Sequence, residues 1–598
     1  MVRHVRYQYL DARLRQAFDD AGLDCGQRAL LQGVLRALDP DAHLGEHVAG
    51  LNSAFLAVTR ARTALDSHAT EDQPRWNLLR RIVTTSLACV DAARPAYAHG
   101  GAGELKEARR TLLEVDAAIA ADGPRFDRQV AAAAARKLDP QALETAVKQW
   151  ITPLWNGVEL PLRARMIAEV AVVVAVHGRD GRHLRADLLR WLKKPADLHE
   201  VLWPRPRRHV VALVVRGARV LRHLEELLPQ ARQEPLHRNR LPKDDFLKDA
   251  VDGSSVLVRL PVSAADAHTA ALLGRRVLGE VLDQYAAGER LTELTIAPLW
   301  QVSGPTGRVT RGTEHQRTLN NAYPLTAYWP AELRSAMRVA NLARQVQASR
   351  APMASAGLAW SALEATGLDP SRIGWLAKAC ALQMLRQHLV SLHVVVTNHD
   401  SRGSHDRELR VELDAHVPTT GVKHHLKSVD AWLAVLVPHN RPKGQLKAAQ
   451  DAVTALAENE GGLVRDLVEL WRARLADSRA LACWLREQED TAAAVLEWLY
   501  VTRNLAFHAG RFATPVDELT AQAGQAVADL TLEFLGNWRT VERQRGEPET
   551  AVVEIYRRLA QRCDQLEARL KRAGSVRRLS VEDISGPDEK WWSRAGGS

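Results

Sequence analysis

Over most of this chain the apolar residues recur at the helical interval and at no other, which excludes most folds at the outset. QRALLQGVLRAL (27–38), RWNLLRRIVTTSLACVDA (75–92) and GELKEARRTLLEVDAAIAA (103–121) each place apolar side chains at i, i+3, i+4 and i+7. Short Gly, Asp and Pro breaks such as DPDAHLG and AHGGAGE separate them. Strand-like runs are hard to find before residue 202, so these stripes must bury one another. Residues 1–202 are therefore expected to form a helical domain.

The period changes near residue 203. WPRPRRH leads into the β-branched run VVALVV (210–215), and SSVLVRLPVSAADA (254–267) and ELTIAPLWQVSG (293–304) supply two more strand-like runs. ARVLRHLEELLPQA and AHTAALLGRRVLGEVLDQYAAG read as helices between them, and PTGRVTRGTEH as a turn into one further strand. This alternation predicts a small α/β domain over 203–328.

After Pro330 the helical period returns. APMASAGLAWSALEATG has Gly367 as its C′ stop, and the next helix has Asp369 as N-cap and Pro370 in its first turn. NHDSRGSHDRE (398–408) reads as an exposed loop. Helices are expected at about 427–459, 461–488 and 490–509, and Thr514 caps a further one that ends near 545. In the last helix, within 546–575, Val552, Tyr556, Leu559, Cys563, Leu566 and Leu570 alternate steps of four and three. That spacing suits a coiled-coil seam and a helix packed on its own domain equally well. Residues 576–598 read as a flexible tail. The fold class expected is mostly α and multidomain: an N-terminal helical array, a central α/β domain and a C-terminal helical bundle over 329–545.

No stretch approaches 18 uncharged apolar residues, which argues against a membrane span. The five cysteines, Cys25, Cys89, Cys380, Cys483 and Cys563, are far apart and lack CxxC spacing. They fit a reducing cytoplasm and neither a disulfide framework nor a zinc site. A net charge of +10 permits an acidic partner, although arginine abundance in an Ala/Arg/Leu-rich chain explains it as well. The basic cluster Arg205, Arg207 and Arg208 could contact RNA phosphates or stand as a solvated loop. His424 and His425 are adjacent, and His388 and His393 lack nearby acidic ligands, so no metal site is expected. There is no GxxxxGK[ST] loop and no GxSxG elbow.

The segment YVTRNLAFHAGRF (500–512) is different in kind. An apolar helix whose stripe includes Ala492, Val495, Leu496, Leu499 and Ala506 carries Arg503 on that same stripe, with Asn504 and His508 four apart on the other side. A cation facing a core needs a carboxylate, a subunit contact or a bound phosphate. The spacing Arg-x4-His occurs twice more, at Arg94 to His99 and Arg232 to His237, both with an internal proline and beside loop-like sequence. Context, then, sets the third apart. A buried Arg–Glu pair with an exposed terminal histidine would account for these residues too.

RNLAFH resembles the R-N-x-x-x-H motif of the HEPN superfamily, helical domains found in many prokaryotic RNA-cleaving defence and toxin proteins. LAWSALEATG (358–367), about 140 residues upstream, is similar to the first core helix of larger members, which often reads aromatic-small-x-Leu-Glu. The likeness covers roughly 330–545, and the polar insert at 398–426 departs from compact members. It implies a metal-independent endoribonuclease without cofactor, paired as a homodimer or higher homo-oligomer, serving anti-phage defence or a toxin-like stress response. A phage-derived or protein trigger would restrain it.

Carried onto this chain, the resemblance makes Arg503 the phosphate ligand, His508 the general acid or base, and Asn504 the group that orients histidine or phosphate. Glu364 becomes the candidate partner of Arg503, or else a surface residue of its helix. The products implied are a 2′,3′-cyclic phosphate and a 5′-hydroxyl. A non-catalytic HEPN-like module that binds RNA or mediates assembly remains the alternative, and a plain helical scaffold a third.

Overall fold

The computed structural model describes residues 12–39, 52–70, 76–179, 181–236, 245–248, 250–251, 254–288, 294–313, 331–349, 352–397, 445–509 and 515–574, with residue 9 and the pair 435–436. The protein is mostly α-helical, with one five-stranded antiparallel sheet. The polar loop at 398–408, the insert to 426, Thr514 and the tail 576–598 lie outside the described residues.

The chain divides into two compact units. One comprises Met1–Val173, Leu319–Arg344 and Pro352–Ser598, and the other Val174–Thr318 and Gln345–Ala351. The helices before 174 thus share a unit with those after 352, where the sequence suggested separate domains. Residues 174–202 also belong with the sheet and not with the first helical array. Arg179, with its side chain 1% exposed, accounts for part of this. It bridges Asp266 at 3.0 Å and Asp187 at 2.7 Å and donates to the Val201 carbonyl. Asp266 in turn caps the sheet's own helix, Ala267–Gly288, by accepting from the Thr269 backbone N–H.

In the sheet unit, β1 (Arg207–Arg216), β2 (Arg232–Leu236), β3 (Ser255–Ala264), β4 (Thr295–Ser303) and β5 (Val309–Thr313) lie in the order β2-β3-β1-β4-β5. Four of these match the expected runs. β2 does not: RQEPL, read as loop, forms an edge strand, the position where an internal proline is tolerated. The helix expected over ARVLRHLEELLPQA shrinks to Leu224–Leu227, because His223 takes φ 58, a left-handed conformation that a helix cannot include. Val211, Leu213, Val215, Val256 and Val258 pack with the Ala267–Gly288 helix on one face of the sheet, while Ala212, Val214, Leu257 and Leu247 form a smaller cluster on the other. At β5, Gly312 lies under the Trp300 indole so closely that a Cβ there would come within 2.1 Å of the ring.

The helical unit is built around the 32-residue helix Ser478–Ala509. It packs on Trp76–Tyr97, Pro352–Glu364, Ile373–Thr397, Gly462–Ala476, Pro515–Arg545 and Val552–Ala573. The break expected near 489 is absent. The interruption falls at Asp477, whose side chain accepts from the Arg479 backbone N–H and so starts the long helix there. Pro352–Glu364 stops as expected: the Gly367 N–H donates to the Glu364 carbonyl and the Leu368 N–H to that of Leu363, with Gly367 at φ +87. Asp369 caps the following turn through the Ser371 N–H. In Val552–Ala573 the seam residues Tyr556, Leu559, Cys563, Leu566 and Leu570 are all buried within the unit, so the packed reading of this helix holds and the seam is not open to a partner.

Two features of this unit lead to expected outcomes. Burial pushes the Asp466 carboxyl up to about 6, and the Arg163 guanidinium 2.7 Å away offsets only part of that. The folded state therefore binds this proton more tightly than the unfolded chain, where an aspartate titrates near ~3.9. The stability it confers is full below that pH and is lost as pH rises through 6, by about 3 kcal/mol in all. The urea midpoint of wild type should gain more between pH 7.5 and 5 than that of Asp466→Asn. Equal gains would mean that Asp466 is solvated. The second concerns thiols. Burial pushes Cys89, Cys380 and Cys563 up to about 12, whereas Cys483 is exposed and Cys25 half-buried. A thiol-disulfide reagent should modify Cys483 first, then Cys25, and the remaining three only in denaturant. A third fast thiol would contradict the packing described.

Candidate functional site

The long helix delivers Arg503 and Asn504 to a junction with the end of Pro352–Glu364. Upstream, Ala492, Val495, Leu496 and Leu499 are buried, as their stripe required. Arg503 is half-buried, and its Nη2 lies 3.7 Å from Glu364 Oε2, with the two side chains 27% and 36% exposed. That separation holds an ion pair but is too long for a hydrogen bond. A pair this exposed contributes about 0–1 kcal/mol.

The same guanidinium donates from Nη1 to Asn504 Oδ1 at 3.2 Å, and Asn504 Nδ2 donates to the Tyr500 carbonyl at 2.9 Å. Arg503 is thus held between a carboxylate and an amide, and the amide is anchored to its own helix one turn back.

The floor of this junction is aromatic. Trp360, fully buried, meets Tyr500 edge-on with ring centroids 5.1 Å apart. Over the Tyr500 ring, at 4.9 Å, lies the Arg81 guanidinium, which also pairs with Glu497 at 2.7 Å. Arg81 comes from the helix Trp76–Tyr97, more than 400 residues upstream. No sequence signal pointed to it, or to Tyr500 and Trp360 as neighbours of the site, because nothing in a helical stripe states which distant helix will cover it. Two cationic groups, Arg81 and Arg503, thus border one end of the long helix.

His508 lies on the same helix, one turn beyond Asn504 and just before its end at Ala509. Its side chain is outside the described residues. The structure therefore brings together Arg503, Asn504 and Glu364. Arg205, Arg207 and Arg208 belong to the sheet unit and are exposed. Arg207 and Arg208 are consecutive in β1 and so point to opposite faces of the sheet.

Among the described residues no group of three or more His, Cys, Asp or Glu side chains is placed to hold a metal ion. His388 instead packs against Trp471 and Trp484. No helix among them is long and apolar enough to cross a membrane. The chain matches no family model, no curated protein and no solved structure.

Proposed function

We propose that the helical unit carries a metal-independent endoribonuclease of the HEPN type, acting in anti-phage defence or a toxin-like stress response. One observation carries this reading. The helix that resembles the family's first core helix ends with its carboxylate beside the arginine of the R-N-x-x-x-H segment, across 139 residues of sequence.

In this mechanism the RNA brings its own nucleophile. The 2′-hydroxyl attacks the adjacent phosphorus, the bond to the 5′-oxygen breaks, and a 2′,3′-cyclic phosphate and a 5′-hydroxyl result. The protein must move one proton off the attacking oxygen and one onto the leaving oxygen, and must stabilise the charge that builds on the phosphate between. His508 takes a proton-transfer role, for which imidazole is suited because its unperturbed pKa of about 6.5 lies near working pH. Arg503 offers a planar fork to two phosphate oxygens. Its exchange of Glu364 for phosphate is inexpensive, since the existing pair is weak. A second motif from another copy of the chain would complete the site across a homodimer interface.

The alternative, a non-catalytic module that binds RNA or mediates assembly, is favoured by one specific feature: both polar ends of the Asn504 amide are already engaged within the protein. Incubating the protein with total cellular RNA in EDTA, then analysing fragment ends, separates the two. Cyclic-phosphate termini support the enzyme. Intact RNA, both alone and in extract of phage-infected cells, supports the binding module.

A further inference from the structure

The pairing register of the sheet puts arginines from four strands on one face. Arg232 on β2 stands opposite Arg259 on β3, Arg259 opposite Ala212 on β1, Ala212 opposite Gln301 on β4, and Gln301 opposite Arg311 on β5. Directly opposed residues share a face, so this is one row across the whole sheet. Four residues back along β1, on the same face, stands Arg208, opposite Ser263. Between them Val210 and Val309 are 39% and 43% exposed.

Arg208, Arg232, Arg259 and Arg311 are all exposed. The far half of this face is different, being covered by Leu247 and Ala250. Among the strand residues of this face, Glu234 is the sole carboxylate.

We propose that this arginine-lined half of the sheet binds single-stranded RNA through its phosphates. Arg232 directly opposite Arg259 is a like-charge cross-strand pair, unfavourable on its own and relieved by an anion lying between. Glu225 approaches Arg232 only at 3.9 Å and in solvent, too weak a contact to neutralise it. From Arg259 to Arg311 is three strand spacings, about 14 Å, and from the row to Arg208 about 13 Å along β1. The charges thus cover an open area rather than a point, a surface that suits a flexible chain of phosphates.

Guanidinium forks match phosphate oxygens bidentately. The exposed valines offer an apolar floor for bases without sequence preference. An anionic membrane is the poorer match, because no large aromatic or long apolar side chain projects from this area to enter it. The proposal concerns a different unit from the nuclease motif and does not depend on cleavage.

The test uses the full chain carrying His508→Ala, so that RNA stays intact, with and without R208Q, R232Q, R259Q and R311Q together. Binding of a labelled oligouridylate is measured in EDTA across a salt series. The quadruple substitution should weaken binding at least about tenfold at low salt and flatten the plot of log affinity against log salt by roughly 2–3, at ~0.7 per phosphate contact. Four lysines in place of the arginines should retain most of that slope, which separates charge from misfolding. Unchanged affinity and slope would overturn the proposal. So would a parent protein that fails to bind the oligonucleotide, or binds anionic phospholipid vesicles in its place. Because the readout is binding, its failure leaves the cleavage reading standing, and an inactive motif leaves this one standing.

Discussion

Alanine in place of His508 is expected to slow RNA cleavage by about 10²- to 10⁴-fold, the usual loss when a positioned general acid or base is removed. The fold should be unaffected, because His508 lies one residue from the end of its helix and replaces no core side chain of the stripe. RNA affinity should also persist, since phosphate contacts and not the imidazole hold the substrate. Arg503→Ala should cost roughly 10²- to 10³-fold, comparable with the loss of one oxyanion donor. Arg503→Lys should recover little of that, for an ammonium keeps the charge but loses the fork.

The measurement is the rate of appearance of cyclic-phosphate ends in EDTA for wild type and the three variants. Equal rates in wild type and His508→Ala would remove the histidine from the mechanism. If Arg503→Ala lowers the unfolding midpoint by several degrees while no variant alters any cleavage, the structural role of the arginine is the right one.

The second large effect is expected at Gly312. Valine there would meet the Trp300 ring, which is buried in the sheet's main core and has His268 edge-on at 5.8 Å on another side. Neither neighbour can yield without opening a void, so the substitution should destabilise strands β4 and β5 by about 2–4 kcal/mol. Hydrogen exchange over 295–313 should then quicken by roughly 30- to 1,000-fold, at about 1.4 kcal/mol per factor of ten. Exchange in Ser478–Ala509 should hardly change. Pairing Gly312→Val with Trp300→Leu should lose less than the sum of the two alone, because the smaller side chain vacates the space that valine needs. Full additivity would mean that the two residues do not touch.

What was legible in the sequence follows from what period and punctuation encode. β1, β3, β4 and β5 were visible as β-branched or alternating runs, and Gly367 and Asp369 as stop and start signals, because each is a local property of a few residues. β2 was invisible: RQEPL has a proline and no apolar alternation, and it is a strand only because β3 offers it an edge. The union of helices before 174 with those after 352 was equally hidden, as an apolar stripe declares that it needs cover without naming the source. At the site, the Glu364–Arg503 pairing could be anticipated from two quoted segments. The Arg81–Tyr500 stacking could not, since Arg81 is one arginine among many on a helix that looked self-sufficient.

The way Arg81 reaches Tyr500 has a consequence for how the molecule is made. Residues 174–318 form the sheet unit from nearby chain, and it can close as soon as it leaves the ribosome. The helices before it must wait, with their apolar stripes uncovered, until the Ser478–Ala509 helix emerges more than 300 residues later. At about 5–20 residues per second this delay lasts on the order of 15–60 s. During it, the early helices are the natural clients of a holdase, and a nascent chain stalled before residue 478 contains no assembled site. A cell translating a potentially lethal nuclease is thereby shielded from its own incomplete products.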